Sequence, residues 1–291
     1  MDAVYIANLA VNGIVVGFVV ALAALAINLA FAVARFTNAA TGDYVTFGSY
    51  AGLITQWGGI KSSIAKGLVA MVATAAISVA FYFAVFRPLR SRPMVASMIA
   101  SIGVLFFLRY TLTLFVGHDM QMYEVPPRRP YFFFGVRVLP IDLWLSAVAL
   151  CSLFIVFIVL HRTPFGRSMR AVADNADLAR TCGIKADQVM VCLWLMVGAI
   201  CGVAGVIFGI KTVVTPETGW DLLLAAFAAA ILGGVGSPIG AVIAGVLLGV
   251  VQEVSTLAVG FTYKTAIAYL TLILVLVLRP QGLFGLKERV R

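Results

Sequence analysis

The chain has 291 residues, of which 62% are hydrophobic and only 11% are charged, and its mean hydropathy is +1.06. Soluble domains carry about 25% charged residues, so this composition excludes a water-soluble fold. The net charge of +9 does not indicate nucleic-acid binding, because the basic residues form short clusters between apolar runs, as loops on one side of a membrane do. The apolar runs exceed the roughly 10 residues of a barrel strand, so we predict an all-α fold, a polytopic transmembrane helical bundle.

Apolar runs along the chain are candidate membrane spans, and they predict about 8 to 10 crossings within a single transmembrane domain, residues 1–291. The first run follows Asp2 instead of a basic segment and is about twice as long as a signal-peptide core, so we expect it to be structural. The seventh run is short, and we expect two passes or a re-entrant segment within residues 222–257. The runs lie near residues 4–34, 44–60, 67–86, 94–116, 141–160, 189–210, 222–235, 238–257 and 262–279.

Clusters of basic residues predict the orientation of the bundle, because basic loops remain in the cytoplasm. The clusters lie at residues 87–92, 162–180 and 279–291. An even number of candidate spans separates successive clusters, so we expect the N-terminus outside and the C-terminus inside. Arg109 lies within a span near its outer end. Its side chain is expected to reach the interface, to attract a carboxylate solute, or to pair with Glu253 or Asp221.

Polar residues inside the spans are the candidates for a solute pathway, because burying them in lipid is costly. Asn28 stands in an uncharged run and is expected either to hydrogen-bond another helix or to line the pathway. Polar interruptions at residues 37–43 and 233–240 indicate either ordinary cytoplasmic turns or the broken helices of a transporter site. Our hypothesis is that four residues of these interruptions line an inner gate: Asn38, Thr41, Asp43 and Ser237.

Residues 163–184 have the pattern of an amphipathic helix. Thr163 with Pro164, or Ser168, is suited to begin it, and Gly183 is suited to end it. Its apolar face is expected either to enter a groove on a cytoplasmic partner or to lie on the anionic membrane surface. That face consists of Met169, Val172, Ala173, Ala176 and Ala179.

Four segments carry a resemblance to a known family. They are NLAFAVARFTNAATGDYVTFGSYAG at 28–52, RTPFGRSMRAVADNADLARTCGI at 162–184, AAFAAAILGGVGSPIGAVIAGVLLGVVQE at 225–253 and RPQGLFG at 279–285. In this order the chain resembles the permease subunits of branched-chain amino acid ABC importers. The resemblance implies a helical bundle of the ABC importer permease type.

The resemblance also implies that residues 161–188 form a cytoplasmic coupling loop that meets an ATP-binding subunit. Ala179 and Gly183 match the alanine and glycine of the EAA-type motif of such permeases. Asp177 and Leu178 stand where Glu and Ala are usual, and no Pro follows Ile184. The residues expected to couple to the ATPase are Arg167, Arg170, Ala173, Asp177, Ala179 and Gly183.

The implied complex lies in the bacterial inner membrane and contains a second permease subunit, two ATPase subunits and a periplasmic binding protein. Branched-chain amino acids are the expected solutes, and urea, amides, aromatic carboxylates and sugars remain alternatives. We expect no catalysis and no cofactor in this chain, since ATP is bound by the partners and the glycine-rich segment 233–238 lacks the Lys and Ser/Thr of a P-loop.

Other functional classes have weaker support in the sequence. An ion-coupled secondary transporter is the main rival, but the middles of most spans lack the ionisable residues that such coupling needs. The four cysteines show no CxxC spacing, and His118 and His161 are expected on opposite sides of the membrane. A metal site or an acid–base pair is therefore not expected.

Overall fold

The computed structural model describes residues 3–60, 62–126, 129–133, 135–260, 263–278 and 282–284. Within these ranges the chain is almost entirely helical, which confirms the predicted all-α bundle. The helices are α1 (Ala3–Ala34), α2 (Thr41–Trp57), α3 (Ser63–Phe81), a π-helical turn (Tyr82–Phe86), α4 (Arg87–Leu89), α5 (Met94–Val116), α6 (Pro140–Arg162), α7 (Pro164–Asp174), α8 (Ala176–Thr181), α9 (Ala186–Lys211), α10 (Thr218–Gly233), α11 (Pro238–Val259) and α12 (Lys264–Leu278). The strands β1 (Tyr131–Phe133) and β2 (Val136–Val138) form one antiparallel hairpin.

Six helical segments in the described ranges are long and apolar enough to cross a membrane, and the chain is a multi-pass membrane protein. Two further helices are apolar but shorter, Thr218–Gly233 and Ala266–Val277. The short seventh run is a separate helix, α10, and it covers roughly 24 Å, less than the roughly 30 Å of a bilayer core. The basic residues at 285–291 and the motif positions 279–281 and 285 lie outside the described residues.

Helix α1 is the centre of the bundle. In its most apolar stretch 78% of the residues are buried, compared with 28% in the segments formed by α3, α5 and α6, which present apolar side chains outwards. Glycines bring α1 and α11 into backbone contact: a Cβ added at Gly249 would lie 2.3 Å from the Cα of Gly17. Small residues permit this close approach of membrane helices, where dispersion contacts replace the hydrophobic effect.

The bundle has two distinct ends. At the first, which we call the loop end, described residues between α5 and α6 contact α1 and α2. Lys211 at this end donates hydrogen bonds to the Asp142 carboxylate at 2.8 Å and to the Asn12 side chain at 3.1 Å. Tyr123 of this segment donates a hydrogen bond of 2.6 Å to the carbonyl of Ser49, and burial raises the pKa of the Tyr123 hydroxyl. At the second, the α7–α8 end, residues 163–184 lie beside the start of α9, and we call them the coupling segment after their predicted role.

Helices α2 and α10 both begin inside the bundle. Residues 35–40 follow α1 without forming a helix, and they lead the chain to the start of α2 at Thr41. From there α2 runs to the loop end, whereas α10 begins at Thr218 and runs towards the α7–α8 end. A Cβ added at Gly42 would lie 2.5 Å from the carbonyl oxygen of Gly219, so the first turns of the two helices touch.

The α1–α11 contact predicts that alanine destabilises the chain at Gly249 of α11 but not at Gly103 of α5. Gly249→Ala places a methyl group against the backbone of Gly17, which costs about 1–3 kcal/mol in the free energy of unfolding. We therefore expect the melting temperature of the detergent-purified chain to fall. Gly103→Ala on α5 is the matched control, because nothing lies within 4 Å of a Cβ added there. A Gly249→Ala variant that melts at or above the control contradicts the close packing.

Candidate functional site

A buried ion pair marks the start of α2. The carboxylate of Asp43 is fully buried and accepts two hydrogen bonds from Arg109 of α5, from Nε at 3.2 Å and from Nη2 at 3.3 Å. Arg109 lies two turns before the end of α5 at Val116, roughly 10 Å along the helix axis. Bidentate pairing of this kind offsets the desolvation of both charges, and loss of either partner leaves a buried charge uncompensated.

This pair corrects two expectations from the sequence. Arg109 was expected to reach the interface or to pair with Glu253 or Asp221, and its ion pair is instead with Asp43. Asp43 was placed near the inner end of the bundle, yet it lies at the level of Arg109. The reason is the non-helical segment 35–40, which carries the chain back between the helices before α2 begins.

Aromatic and acidic side chains surround Arg109. Its guanidinium lies 5.3 Å from the ring centre of Trp220 and 5.9 Å from that of Phe106. Trp220 is 41% exposed, and its neighbour Asp221 is also exposed and interacts electrostatically with Arg109. We call Asp43, Arg109, Trp220 and Asp221 the Arg109 cluster. It combines one cation, two carboxylates and an exposed aromatic ring at one level of the bundle.

The junction of α2 and α10 is tied by a threonine. The Thr46 hydroxyl accepts a hydrogen bond of 2.9 Å from the Gly219 N–H and lies 3.4 Å from the Gly42 carbonyl. Helix N-termini carry partial positive charge, and Asp43 and Asp221 lie in the first turns of α2 and α10. This partial charge offsets part of the cost of burying the Asp43 carboxylate.

Two predicted gate residues build the turn before α2. The Asn38 side-chain oxygen accepts a hydrogen bond of 3.1 Å from the Ala40 N–H, and the Thr41 hydroxyl donates one of 2.9 Å to the Asn38 carbonyl. Both side chains are buried, and the Asn38 amide nitrogen has no hydrogen-bond partner in the described ranges. Asn38 and Thr41 therefore determine where α2 starts.

Asn28 and Ser237 occupy a separate position. The Asn28 amide donates to the carbonyls of Gly234 and Ser237 at 3.1 and 3.3 Å, and its oxygen accepts from the Gly236 N–H at 2.8 Å. The Ser237 hydroxyl accepts from the Gly240 N–H at 3.2 Å and caps α11. These bonds join α1 to the turn between α10 and α11, residues 234–237.

The four residues of the hypothesised gate are therefore not assembled at one point. Asp43 lies beside the start of α10, whereas Ser237 follows its end. Gly219 and Gly233 are 14 positions apart in α10, which corresponds to roughly 21 Å. The two polar interruptions thus lie at the two ends of α10. The sequence pattern alone does not reveal this separation in space.

The coupling segment forms two helices instead of the single one predicted. Thr163 caps α7 and Pro164 is its first residue, as expected, and Gly183 follows α8 with a φ of 82°. The break is at Asn175, whose side-chain oxygen accepts hydrogen bonds of 3.0 Å from the N–H groups of Asp177 and Leu178. An asparagine that satisfies these donors favours a new helix start over continuation.

The apolar face of this segment is not free to enter a groove on a partner, which corrects the first alternative above. Met169, Val172 and Ala179 are buried against the rest of the bundle, and Ala173 and Ala176 are partly buried. The side chain of Ala179 therefore points into this chain. The exposed residues of the predicted coupling set are Arg167, Arg170, Asp177 and Gly183, and Leu178 beside them is 63% exposed.

A contact that the sequence did not suggest joins α7 to the end of α1. Arg35, with a φ of 60°, donates a hydrogen bond through its guanidinium to the Ala173 carbonyl. The next residue, Phe36, packs against Phe86 and Trp194, whose rings stack 4.6 Å apart. The segment that leads to Asp43 is thus held at its start by α7 and by an aromatic cluster.

Two other features of the described residues bear on possible binding sites. A cavity of about 990 Å³ opens at the loop end, but the Lys66 ammonium in its wall already donates a 2.7 Å hydrogen bond to Gln56. Groups of three or more His, Cys, Asp or Glu side chains placed to hold a metal ion are absent from the part of the chain that the structure covers. The Arg109 cluster remains the main candidate within the spans.

Comparison with known proteins identifies the family. The model of the family described as branched-chain amino acid transport system / permease component matches residues 9–276. The BraD permease protein of the high-affinity branched-chain amino acid transport system of Pseudomonas aeruginosa is 29% identical over 96% of this chain and 95% of its own. The corresponding LivH protein of Escherichia coli K12 is 28% identical over 95% of this chain and 94% of its own.

One solved structure is similar in fold. PsaBC from Streptococcus pneumoniae in complex with Fab matches with a TM-score of 0.50 at 13% identity, and the match covers 94% of this chain and 92% of that one. At this identity the likeness concerns the arrangement of helices alone. The family match extends over nearly all the spans, and the chain belongs to the permease component family of branched-chain amino acid transport systems.

Proposed function

We propose that this chain is one of two permease subunits of an ATP-driven importer that carries branched-chain amino acids across the bacterial inner membrane. The observation that carries the proposal is the family match over residues 9–276. BraD and LivH, which are similar over nearly their whole lengths, are named for high-affinity branched-chain amino acid transport. A periplasmic binding protein delivers the solute, and two ATPase subunits supply the energy.

In this proposal the α7–α8 end faces the cytoplasm and the loop end faces the periplasm. The support is the distribution of basic residues, since Arg87, Arg90, Arg162, Arg167 and Arg180 all belong to the α7–α8 end or to the loops beside it. The positive-inside rule places such segments in the cytoplasm. The N-terminus is then periplasmic and the C-terminus cytoplasmic.

The exposed surface of α8 is the proposed contact with an ATPase subunit. Leu178 presents an apolar side chain to water next to the charges of Asp177 and Arg180, which lie 3.2 Å apart. A groove of about 420 Å³ adjoins it, lined by Arg180, Ile184, Lys185, Ala186, Asp187 and Gln188. An apolar anchor with a charged rim is the usual composition of a protein interface.

The link between Arg35 and Ala173 provides a route for coupling. A displacement of α7 by the ATPase subunits moves the Ala173 carbonyl and, through Arg35, the start of the segment 35–40. That segment leads to Asp43 and its ion pair with Arg109. Rearrangement of one α-helix at the membrane surface thereby reaches polar groups inside the bundle.

We expect Leu178→Arg to prevent assembly with the ATPase. A charged, longer side chain in place of a buried interface anchor costs about 2 kcal/mol or more, which weakens binding about 30-fold. The measurement is copurification of the ATPase subunits and their rate of ATP hydrolysis with leucine-loaded binding protein present. Leu178→Met retains an apolar side chain and is expected to behave as the wild type, and a fully stimulated Leu178→Arg complex contradicts the proposed contact.

Arg35→Gly is expected to uncouple hydrolysis from transport without loss of stability. Glycine adopts a φ of 60° readily, so the substitution relieves backbone strain at this position. It also removes the hydrogen bond from the Arg35 guanidinium to the Ala173 carbonyl. We expect leucine uptake per ATP in proteoliposomes to fall about fivefold, the equivalent of ~1 kcal/mol for a hydrogen bond. Arg35→Lys keeps a cationic donor and should restore part of the ratio. An unchanged ratio in Arg35→Gly rules out this route.

A further inference from the structure

We propose that the Arg109 cluster is a binding site for a zwitterionic amino acid within the membrane-spanning bundle. In this assignment Arg109 binds the carboxylate of the solute, Asp221 binds its ammonium group and the Trp220 ring packs against its aliphatic side chain. The inference rests on the proposed transport function and adds the residues that contact the solute.

The first argument is the exposure of charge inside an apolar helix. Asp221 is exposed in the first turn of α10 and follows Trp220, whose ring centre lies 5.3 Å from the Arg109 guanidinium. Arg109 lies roughly 10 Å inside the end of α5. A carboxylate that faces hydrocarbon near the middle of a membrane costs about 2.5–3.5 kcal/mol, so such groups line water-filled cavities or contact other polar groups. The surface around Trp220 and Asp221 therefore belongs to a wet passage and does not face lipid.

The second argument is the number of donors left on Arg109. A guanidinium has five N–H donors, and the described contacts use one from Nε and one from Nη2, both to Asp43. The remaining donors have no acceptor within the described ranges. Because Asp43 compensates the charge of Arg109 when the site is empty, a solute carboxylate binds the free N–H groups without having to displace Asp43.

The third argument is the complementarity of the exposed groups to one class of solute. Arg109 is 13% exposed and Trp220 is 41% exposed, and the guanidinium lies 5.3 Å from the Trp220 ring centre. A cation, a separate carboxylate and an aromatic face match the carboxylate, the ammonium and the hydrocarbon side chain of an amino acid. A sugar or urea has no charge for Arg109 and Asp221 to pair with.

The position of the site connects it to the moving parts. Asp43 begins α2 directly after the segment that Arg35 ties to α7, and Gly42 touches Gly219 at the start of α10. Arg109 is ion-paired with Asp43 of α2, and Asp221 belongs to α10. A displacement of α2 relative to α10 that keeps the ion pair therefore changes the distance between Arg109 and Asp221. The two halves of the proposed zwitterion site, Arg109 of α5 and Asp221 of α10, thus lie on different helices.

The test is equilibrium binding of radiolabelled leucine to the intact complex in lipid nanodiscs, with the binding protein left out. Competition with 4-methylpentanoate, which lacks the ammonium, and with leucinamide, which lacks the carboxylate, is measured in the same way. The variants are Asp221→Asn and Trp220→Ala, both at exposed positions. Asp142→Asn is the matched control, because it also removes a carboxylate near a cation, Lys211 at 2.8 Å, but at the loop end.

We expect saturable leucine binding in the wild type and weaker binding of both analogues. Asp221→Asn should weaken leucine about tenfold or more, the usual effect of losing a charge-assisted hydrogen bond, and leave 4-methylpentanoate unchanged or tighter. Trp220→Ala should weaken both ligands, and Asp142→Asn should weaken neither. A change in leucine alone separates loss of the ammonium contact from a general structural disturbance.

The site assignment is overturned if the wild type binds no leucine, or if Asp221→Asn affects leucine and 4-methylpentanoate equally. ATP-dependent leucine uptake by the complete wild-type complex with its binding protein is measured in parallel. Uptake without the expected variant pattern sinks the site and leaves the transport function standing. Absence of leucine uptake by the wild type refutes the proposed function itself.

Discussion

The ion pair between Asp43 and Arg109 is the interaction on which the arrangement of this bundle depends. A carboxylate at that depth is tolerated only with a cation beside it, so α2 must begin where α5 brings Arg109. That position in turn allows Gly42 to touch Gly219 and sets the level at which α10 begins. The non-helical segment after α1 and the starting positions of α2 and α10 therefore all depend on the pairing of these two charges.

Beyond this ion pair, the helices form two regions, a close-packed frame and a more polar junction. The frame consists of α1 with α11, where Gly17 and Gly249 bring the backbones together, and of α9 with α3, where Gly198 and Gly202 do the same. At the junction, the Thr46 hydroxyl joins α2 to α10 and the Asp43–Arg109 pair joins α2 to α5, so polar contacts link these helices. Transport requires an exchange of such contacts, and the fold confines it to the place where polar groups already interrupt the spans.

The sequence predicted those features that local patterns determine. Apolar runs located the spans, and Thr163, Pro164 and Gly183 located the ends of the coupling segment. The depth of Asp43 was not predictable, because it depends on how residues 35–40 return into the bundle, and that path is set by tertiary contacts such as Phe36 with Trp194. The apolar face of α7 and α8 was recognised as a contact surface, but periodicity does not say whether the contact lies within the chain or with a partner.

The enclosure of α1 also bears on how the protein is made. Its principal neighbour, α11 (Pro238–Val259), follows it in the chain by about 200 residues. Helix α1 is therefore synthesised before α11 and loses contact with lipid on that face only when α11 has entered the membrane. Until then its glycine-rich face, including Gly13 and Gly17, stands open to other helices of the membrane. Completion of the core thus waits for nearly the whole chain, and the ordering of early and late helices becomes part of the folding problem.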